Sequence, residues 1–325
     1  MPKLRLPTRP GWPLSLVLGV LAMVFALAGC GSGGTANVLL VASVNGHGIS
    51  QSDYRLVQRY VGVTMAQQLP DSAWQSPTGR GAFGTIQGSA LDFLINLELM
   101  HEQLTACHLS VPASALASDR HALQALIDKQ KHSSDPAVQD VIRVLTPDMV
   151  AMLADQQATE TALLKGVSVP GAHVRAILVA SKDKALQIEQ QAQQGADFAT
   201  LAKQNSLDTQ SGANGGDLGN AYFGQYSQFS ANYDTQIFSG ATPAASGSCY
   251  SHNGYSAAAG ATHYVTLPDA DQYLLFQVSE LHDRPLSEIT NGQLQQVAFS
   301  SWLSTVVRRH ASVATYLSTP VGQRP

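Results

Sequence analysis

The alternation of apolar and polar positions divides the chain into a leader, a helical block, a mixed block and a closing helix. The leader is an apolar run from about Leu14 to Leu27, preceded by Lys3, Arg5 and Arg9 and by no acid. The segment Val38–Ser50 reads as a strand, a turn at Asn45-Gly46 and a return. Ser50 or Ser52 then caps a helix whose stripe is Tyr54, Val57, Val61 and Met65. Residues 70–84 are loop-like. A long helix follows from about Thr85 to Cys107, with Leu91, Leu94, Ile95 and Leu99 on one face and Glu98 and Glu102 interleaved among them. Pro112, Pro136 and Pro147 each suit the first turn of a further helix, the last ending near Gly166.

Beyond residue 170 the period shortens. Residues 174–179 form a β-like run. Helices are predicted over 182–194, with Gly195 as the stop, and over 197–204. The polar loop "SLDTQSGANGGDLG" comes next. "NYDTQIF" is a short helix, 240–261 is a Gly/Ser/Ala-rich stretch, and strands are predicted at 263–267 and 272–280. A helix over about 286–309 closes the chain, with Leu294, Val297, Phe299, Trp302, Leu303 and Val306 to bury. A lone helix is marginal in water, so this one is expected to pack on the N-terminal helices and complete one helical domain from two separated pieces.

Charge and cysteine content narrow the setting. A basic head, an apolar run shorter than the roughly 20 residues of a membrane span, and small residues before a cut define a secretory signal. "LAGC" at 27–30 fits the bacterial lipobox, which implies cleavage before Cys30 and lipid on its thiol. "GSGGTAN" would serve as a flexible tether. An ordinary secretory signal ending in cysteine is the plainer alternative. Removing residues 1–30 takes away three basic groups and no acid, moving the formal charge from −4 to −7. No Lys/Arg-rich run is present, which argues against nucleic acid as a partner. In an oxidising compartment Cys107 and Cys249 are available to pair, although separation in sequence does not fix their contact. No Cys/His cluster has metal-ligand spacing, and neither a phosphate loop nor a GxSxG elbow occurs, so no metal and no cofactor is expected.

Four segments carry a resemblance: "VRAILV", "GADFATLAKQNS", the polar loop, and "YLLFQVSEL". Residues 174–281 resemble a parvulin-type peptidyl-prolyl isomerase domain. "VASVNGHGIS", "FLINLELMHEQLTACHLSVPASAL" and "FSSWLSTVVRRHASV" resemble the flanking helices of the SurA and PrsA chaperone-isomerases. The expected fold is α+β: a helical chaperone domain from both chain ends plus a four-stranded sheet with flanking helices. The expected division is 1–30 signal, 31–37 tether, 38–168 N-terminal helical domain, 169–284 parvulin-like domain, and 285–325 C-terminal helix.

The resemblance implies a groove for proline-containing segments of unfolded or nascent exported polypeptides. It places Phe229, Tyr233 and Phe238 at the pocket, with Phe229 where the family has Met and Tyr233 where it has Phe. Tyr233 and Phe238 also read as core residues of one helix face, and for Phe238 that reading is preferred. Asp208 matches the acid or thiol near the twisting bond, and equally a turn-forming Asx residue after a helix end. Gly215 and Gly216 are expected to supply backbone conformations closed to other residues. Active parvulins carry histidines where this chain has Ala176 and Leu274, and neither His173 nor His263 takes the lost place. Two functions stay open: a membrane-tethered chaperone with a peptide-binding but weak or inactive isomerase domain, and an active isomerase assisting secreted proteins. Either would act outside the cytoplasm, on a bacterial membrane.

Overall fold

The computed structural model describes residues 39–66, 80–226, 231–239 and 262–317. These fall into two compact units, residues 164–306 in one and 39–163 with 307–317 in the other.

The second unit begins with strand β1 (Leu40–Val44) and strand β2 (His47–Ser50), joined where Asn45 and Gly46 both take positive φ, at 47° and 91°. Such a turn matches the twist of a tight hairpin. Ser50 accepts from the Asp53 amide and donates to its carboxylate, starting helix α1 (Gln51–Ala66), which buries Tyr54, Val57, Tyr60 and Val61. Helix α1 packs on α2 (Arg80–Ala106). Helix α2 starts at residue 80, inside the stretch expected to be loop. Ala82 is buried there, so packing outweighs the glycines at 81 and 84. Helices α3 (Ala113–Gln130), α4 (Pro136–Val144) and α5 (Pro147–Gly166) follow, with Pro112 as the N-cap of α3 and Asp135 capping α4. Helix α3 buries none of its residues.

The other unit is built on a four-stranded antiparallel sheet. Strand β3 (Ser168–Val179) leads to helices α6 (Lys182–Gln193), α7 (Phe198–Asn205) and the single-turn α8 (Thr209–Ala213). Then come β4 (Asp217–Tyr222), α9 (Ala231–Ile237), β5 (His263–Asp269) and β6 (Gln272–Pro285). The strand order is β4-β3-β6-β5. Strand β3 starts six residues before the predicted run because Ser168–Gly171 pairs with His282–Pro285 of β6. Pro170 does not break it: its carbonyl accepts the Phe223 amide at 2.9 Å, and a proline lacks only the donor.

One face of the sheet carries Ile177, Val179 and Leu275 against Ala185, Ile188, Phe198 and Leu201 of α6 and α7. The other carries Val174, Ala176, Phe276 and Val278 against Tyr226, Tyr233, Ile237 and Phe238. Alternation along the strands puts neighbouring residues into opposite cores. After β6, helix α10 (Gly292–Ser301) starts at Asn291, whose side chain accepts from the Gln293 and Leu294 amides. The helix continues through a π-helical turn at Trp302–Val307 and a last turn, α11 (Arg308–His310). The chain ends in a strand the sequence pattern does not announce, β7 (Val313–Thr315), which pairs antiparallel with β1.

Candidate functional site

Strands β3 and β6 set the floor of the site. Their register places Ala176 opposite Phe276 and Leu178 opposite Leu274. Ala176, 4 % exposed, and the partly buried Leu274 belong to the same apolar cluster. Two methyl-bearing side chains therefore stand where the resemblance leads one to seek imidazoles, and they bring no donor, acceptor or charge into that layer.

Above the floor sits an aromatic group. The ring of Phe276 meets those of Tyr226 and Tyr233 edge-on, with centroids 5.8 and 6.3 Å apart, and Phe223 meets Phe238 at 6.0 Å. Tyr233 is 4 % exposed and its hydroxyl donates to the Pro268 carbonyl; Phe238 is 2 % exposed. Tyr233 is a core residue of α9, and Phe238 is a core residue just past its end. Phe223, Val265 and Leu274 are the partly exposed apolar residues on this cluster. Burial pushes the Tyr226 phenol up to about 12, with the Asp234 carboxylate adding to the effect, so the hydroxyl stays protonated at neutral pH. Burial likewise raises the Tyr233 phenol, with Asp269 contributing. Phe229 lies outside the described residues.

Asp234 organises the entry to α9. It is buried, and its Oδ1 accepts from the Gly224 amide at 3.0 Å and the Tyr226 amide at 3.2 Å. The turn carrying Phe223 and Tyr226 is thereby tied to the helix carrying Tyr233. Sequence reasoning passed over Asp234, Tyr226 and Phe276. The aromatic spacing in "AYFGQYSQF" was the one available signal, and it does not say which rings meet.

The polar loop is laced to the β3 edge. The Leu207 amide donates to Leu178 O at 2.8 Å, the Leu178 amide to Ser206 Oγ at 3.2 Å, and the Ala176 amide to Gly216 O at 2.8 Å. Gly215 and Gly216 have φ of 72° and 75°. A Cβ on Gly215 would lie 2.6 Å from Ala199 Cβ, and one on Gly216 2.4 Å from Ala176 O. Both glycines are thus required twice, by dihedral and by space. Asp208 is the N-cap of α8. Its Oδ1 accepts from the Gln210 amide at 3.1 Å and its Oδ2 from Ser211 Oγ at 2.7 Å. The Ser211 hydroxyl chiefly, and the backbone amides with it, hold the Asp208 carboxyl below the ordinary carboxylate range. A carboxylate engaged in this way keeps its charge and has little freedom to approach a ligand.

The nearby histidines have partners of their own. His173 Nε2 lies 3.1 Å from Asp217 Oδ1, and His263 Nε2 lies 3.0 Å from Ile237 O. Cys107, just past the end of α2, is disulfide-bonded. Cys249, the partner considered for it, and Cys30 lie outside the described residues. In the other unit, His47, Glu98 and Glu102 come together, a grouping absent from any local spacing in the sequence. Among the described residues no helix is long and apolar enough to cross a membrane.

Residues 157–247 match the PPIC-type PPIASE domain family and residues 6–144 the SurA-like N-terminal domain family. The foldase protein PrsA of Caldanaerobacter subterraneus subsp. tengcongensis is 27 % identical over 218 residues, covering 63 % of this chain and 69 % of the relative. Among solved structures, the peptidylprolyl isomerase PrsA of Bacillus cereus is 16 % identical, covering 84 % of this chain and 91 % of that one at a TM-score of 0.32. That of Bacillus anthracis is 17 % identical, covering 66 % and 95 % at 0.29.

Proposed function

We propose, from the matches to the SurA-like N-terminal domain and PPIC-type PPIASE domain families, that the chain is a membrane-tethered extracytoplasmic chaperone or foldase. Its parvulin-like domain binds proline-containing segments of exported proteins, with weak or absent isomerase activity. The observation that carries the second clause is the apolar pair at the site's floor, Ala176 and Leu274. Rotation about an X-Pro bond faces a barrier of about 18–20 kcal/mol from amide resonance. Lowering it takes groups that favour the twisted amide over the planar one, and each tenfold in rate takes about 1.4 kcal/mol of that preference. Alanine and leucine contact both states alike. Asp208, the one carboxylate the resemblance assigns to catalysis, is occupied as a helix cap.

Binding has better support than catalysis. Phe223, Val265 and Leu274 present partly exposed apolar surface on a rigid aromatic base, the kind of wall a proline ring packs against. In the other unit, α3 buries nothing. Leu126 is exposed there, and Leu116, Leu123 and Ile127 are half-covered, leaving apolar surface for an unfolded client. The tether rests on the lipobox at 27–30, with Cys30 as the acylated residue. Cys107 would pair with Cys249 in an oxidising compartment.

A protease-coupled isomerase assay on a short Ala-Pro-Phe peptide, run beside suppression of aggregation of an unfolded client, tests the proposal. Clear suppression with little isomerase acceleration is expected. Rates comparable with active parvulins would overturn it. The double variant Ala176→His/Leu274→His is expected to raise isomerisation, and neither single variant should. Partitioning into a detergent phase should vanish in Cys30→Ala.

A further inference from the structure

The turn between β1 and β2 meets the middle of α2 at three side chains that share one chemistry. His47 Nδ1 lies 2.9 Å from Glu98 Oε1 and 3.4 Å from Glu102 Oε1, and one ligand atom from each residue falls within 4.8 Å of the others. We infer that His47, Glu98 and Glu102 form a binding site for a divalent transition cation of the Zn2+ class, clamping the hairpin to α2.

The geometry is that of a tripod already assembled. Donor atoms about 2.1 Å from a tetrahedral zinc stand about 3.4 Å apart; the His47–Glu102 distance equals that edge, and the His47–Glu98 distance of 2.9 Å must open by about half an ångström. Glu98 and Glu102, one helical turn apart, present their oxygens on the same face. His47 is the first residue of β2, directly after the positive-φ turn at Asn45-Gly46. An imidazole with two carboxylates is a donor set for borderline-soft cations, not for Ca2+ or Mg2+, which take oxygen alone.

A second layer orients the ligands. Asn45 Nδ2 donates to Glu102 Oε2 at 2.7 Å, leaving Oε1 turned toward His47. Asn45 is itself held on both sides: its amide donates to Ser312 O at 2.8 Å and its Oδ1 accepts the Ser312 amide at 2.7 Å. Outer partners of this kind are what hold metal ligands in place. The carboxylates are well shielded, 15 % and 19 % exposed, whereas His47 is 67 % exposed and leaves a path for entry. Two crowded carboxylates facing one imidazole are short of positive charge, and a divalent cation supplies it. Three protein ligands leave a fourth position for water or for a donor from another molecule.

The alternative occupant is a proton on His47, which makes the same contacts as an ion pair. Titration calorimetry with Zn2+ alone, on the full-length chain in detergent without a histidine tag at pH 7.5, separates the two. The metal site predicts one saturable equivalent and a melting temperature raised by several degrees at saturation. His47→Gln, Glu98→Gln and Glu102→Gln should each weaken binding by about tenfold or more. His101→Gln, which alters another imidazole–carboxylate contact on α2, should leave it unchanged. Each variant is first shown to fold by circular dichroism in EDTA, and if one of them fails the other two carry the test. Absence of saturable binding, or an affinity unchanged in the folded variants, overturns the inference in favour of the protonated ion pair.

Discussion

Gly216→Ala isolates the contact that seats the polar loop on the sheet. The added methyl would lie 2.4 Å from the Ala176 carbonyl oxygen, so the loop must move by more than about half an ångström in a packed interior. That movement strains the bond from the Ala176 amide to Gly216 O, 2.8 Å long and part of the floor of the site. A non-glycine residue at φ 75° costs about 1–2 kcal/mol. Leaving the buried amide without its acceptor adds about 1–3 kcal/mol. Gly219→Ala is the control, because Gly219 has φ 78° with nothing within 4 Å of an added Cβ. The dihedral cost is common to both, so the difference between the variants reports packing and the hydrogen bond. Hydrogen exchange at the Ala176 amide reads it directly: Gly216→Ala should lose about tenfold to a hundredfold more protection than Gly219→Ala, at about 1.4 kcal/mol per tenfold. Equal protection in the two variants would refute the claim that this glycine is required by space as well as by dihedral.

Two further perturbations probe the same unit. Asp208→Ala removes the cap of α8 and should cost about 1 kcal/mol in urea unfolding, while Asp208→Asn should keep most of the capping. The folded Asp208 carboxyl titrates below its unfolded value, so its contribution is in full force above pH of about 4 and fades as pH falls through the lower folded value. Neither variant should show that acid-side loss. Asp234→Ala leaves the Gly224 and Tyr226 amides without their acceptor and should destabilise this unit by about 2–4 kcal/mol, whereas Asp234→Asn, which retains an acceptor oxygen, should cost clearly less. The fluorescence of the buried Trp302 and thermal unfolding are the measurements.

Much of the local structure of the described residues is legible in the sequence. Asn45-Gly46 announces the hairpin, Pro112, Pro136 and Pro147 mark three helix starts, and Asp197 caps the helix predicted after Gly195. The errors share a cause. Strand β3 extends back through Pro170-Gly171, helix α2 through Gly84 and Gly81 to residue 80, and β7 appears at 313–315 because partners distant in sequence satisfy or bury those segments. Local propensity has no access to such partners.

By itself, the sequence determined the mixed helix-and-sheet class, the need for glycine at 215 and 216, and the apolar character of positions 176 and 274. Each depends on one residue's side chain or on periodicity, and both are written along the chain. Only the tertiary structure decided that Tyr233 and Phe238 are core, that Asp208 spends its carboxylate on a helix cap, and that Asp234 ties a turn to a helix. It alone brought His47 to Glu98 and Glu102. Such placements arise where strands and helices far apart in sequence are driven together by burial of apolar surface, and a linear pattern records the tendency to bury but not the neighbour that results.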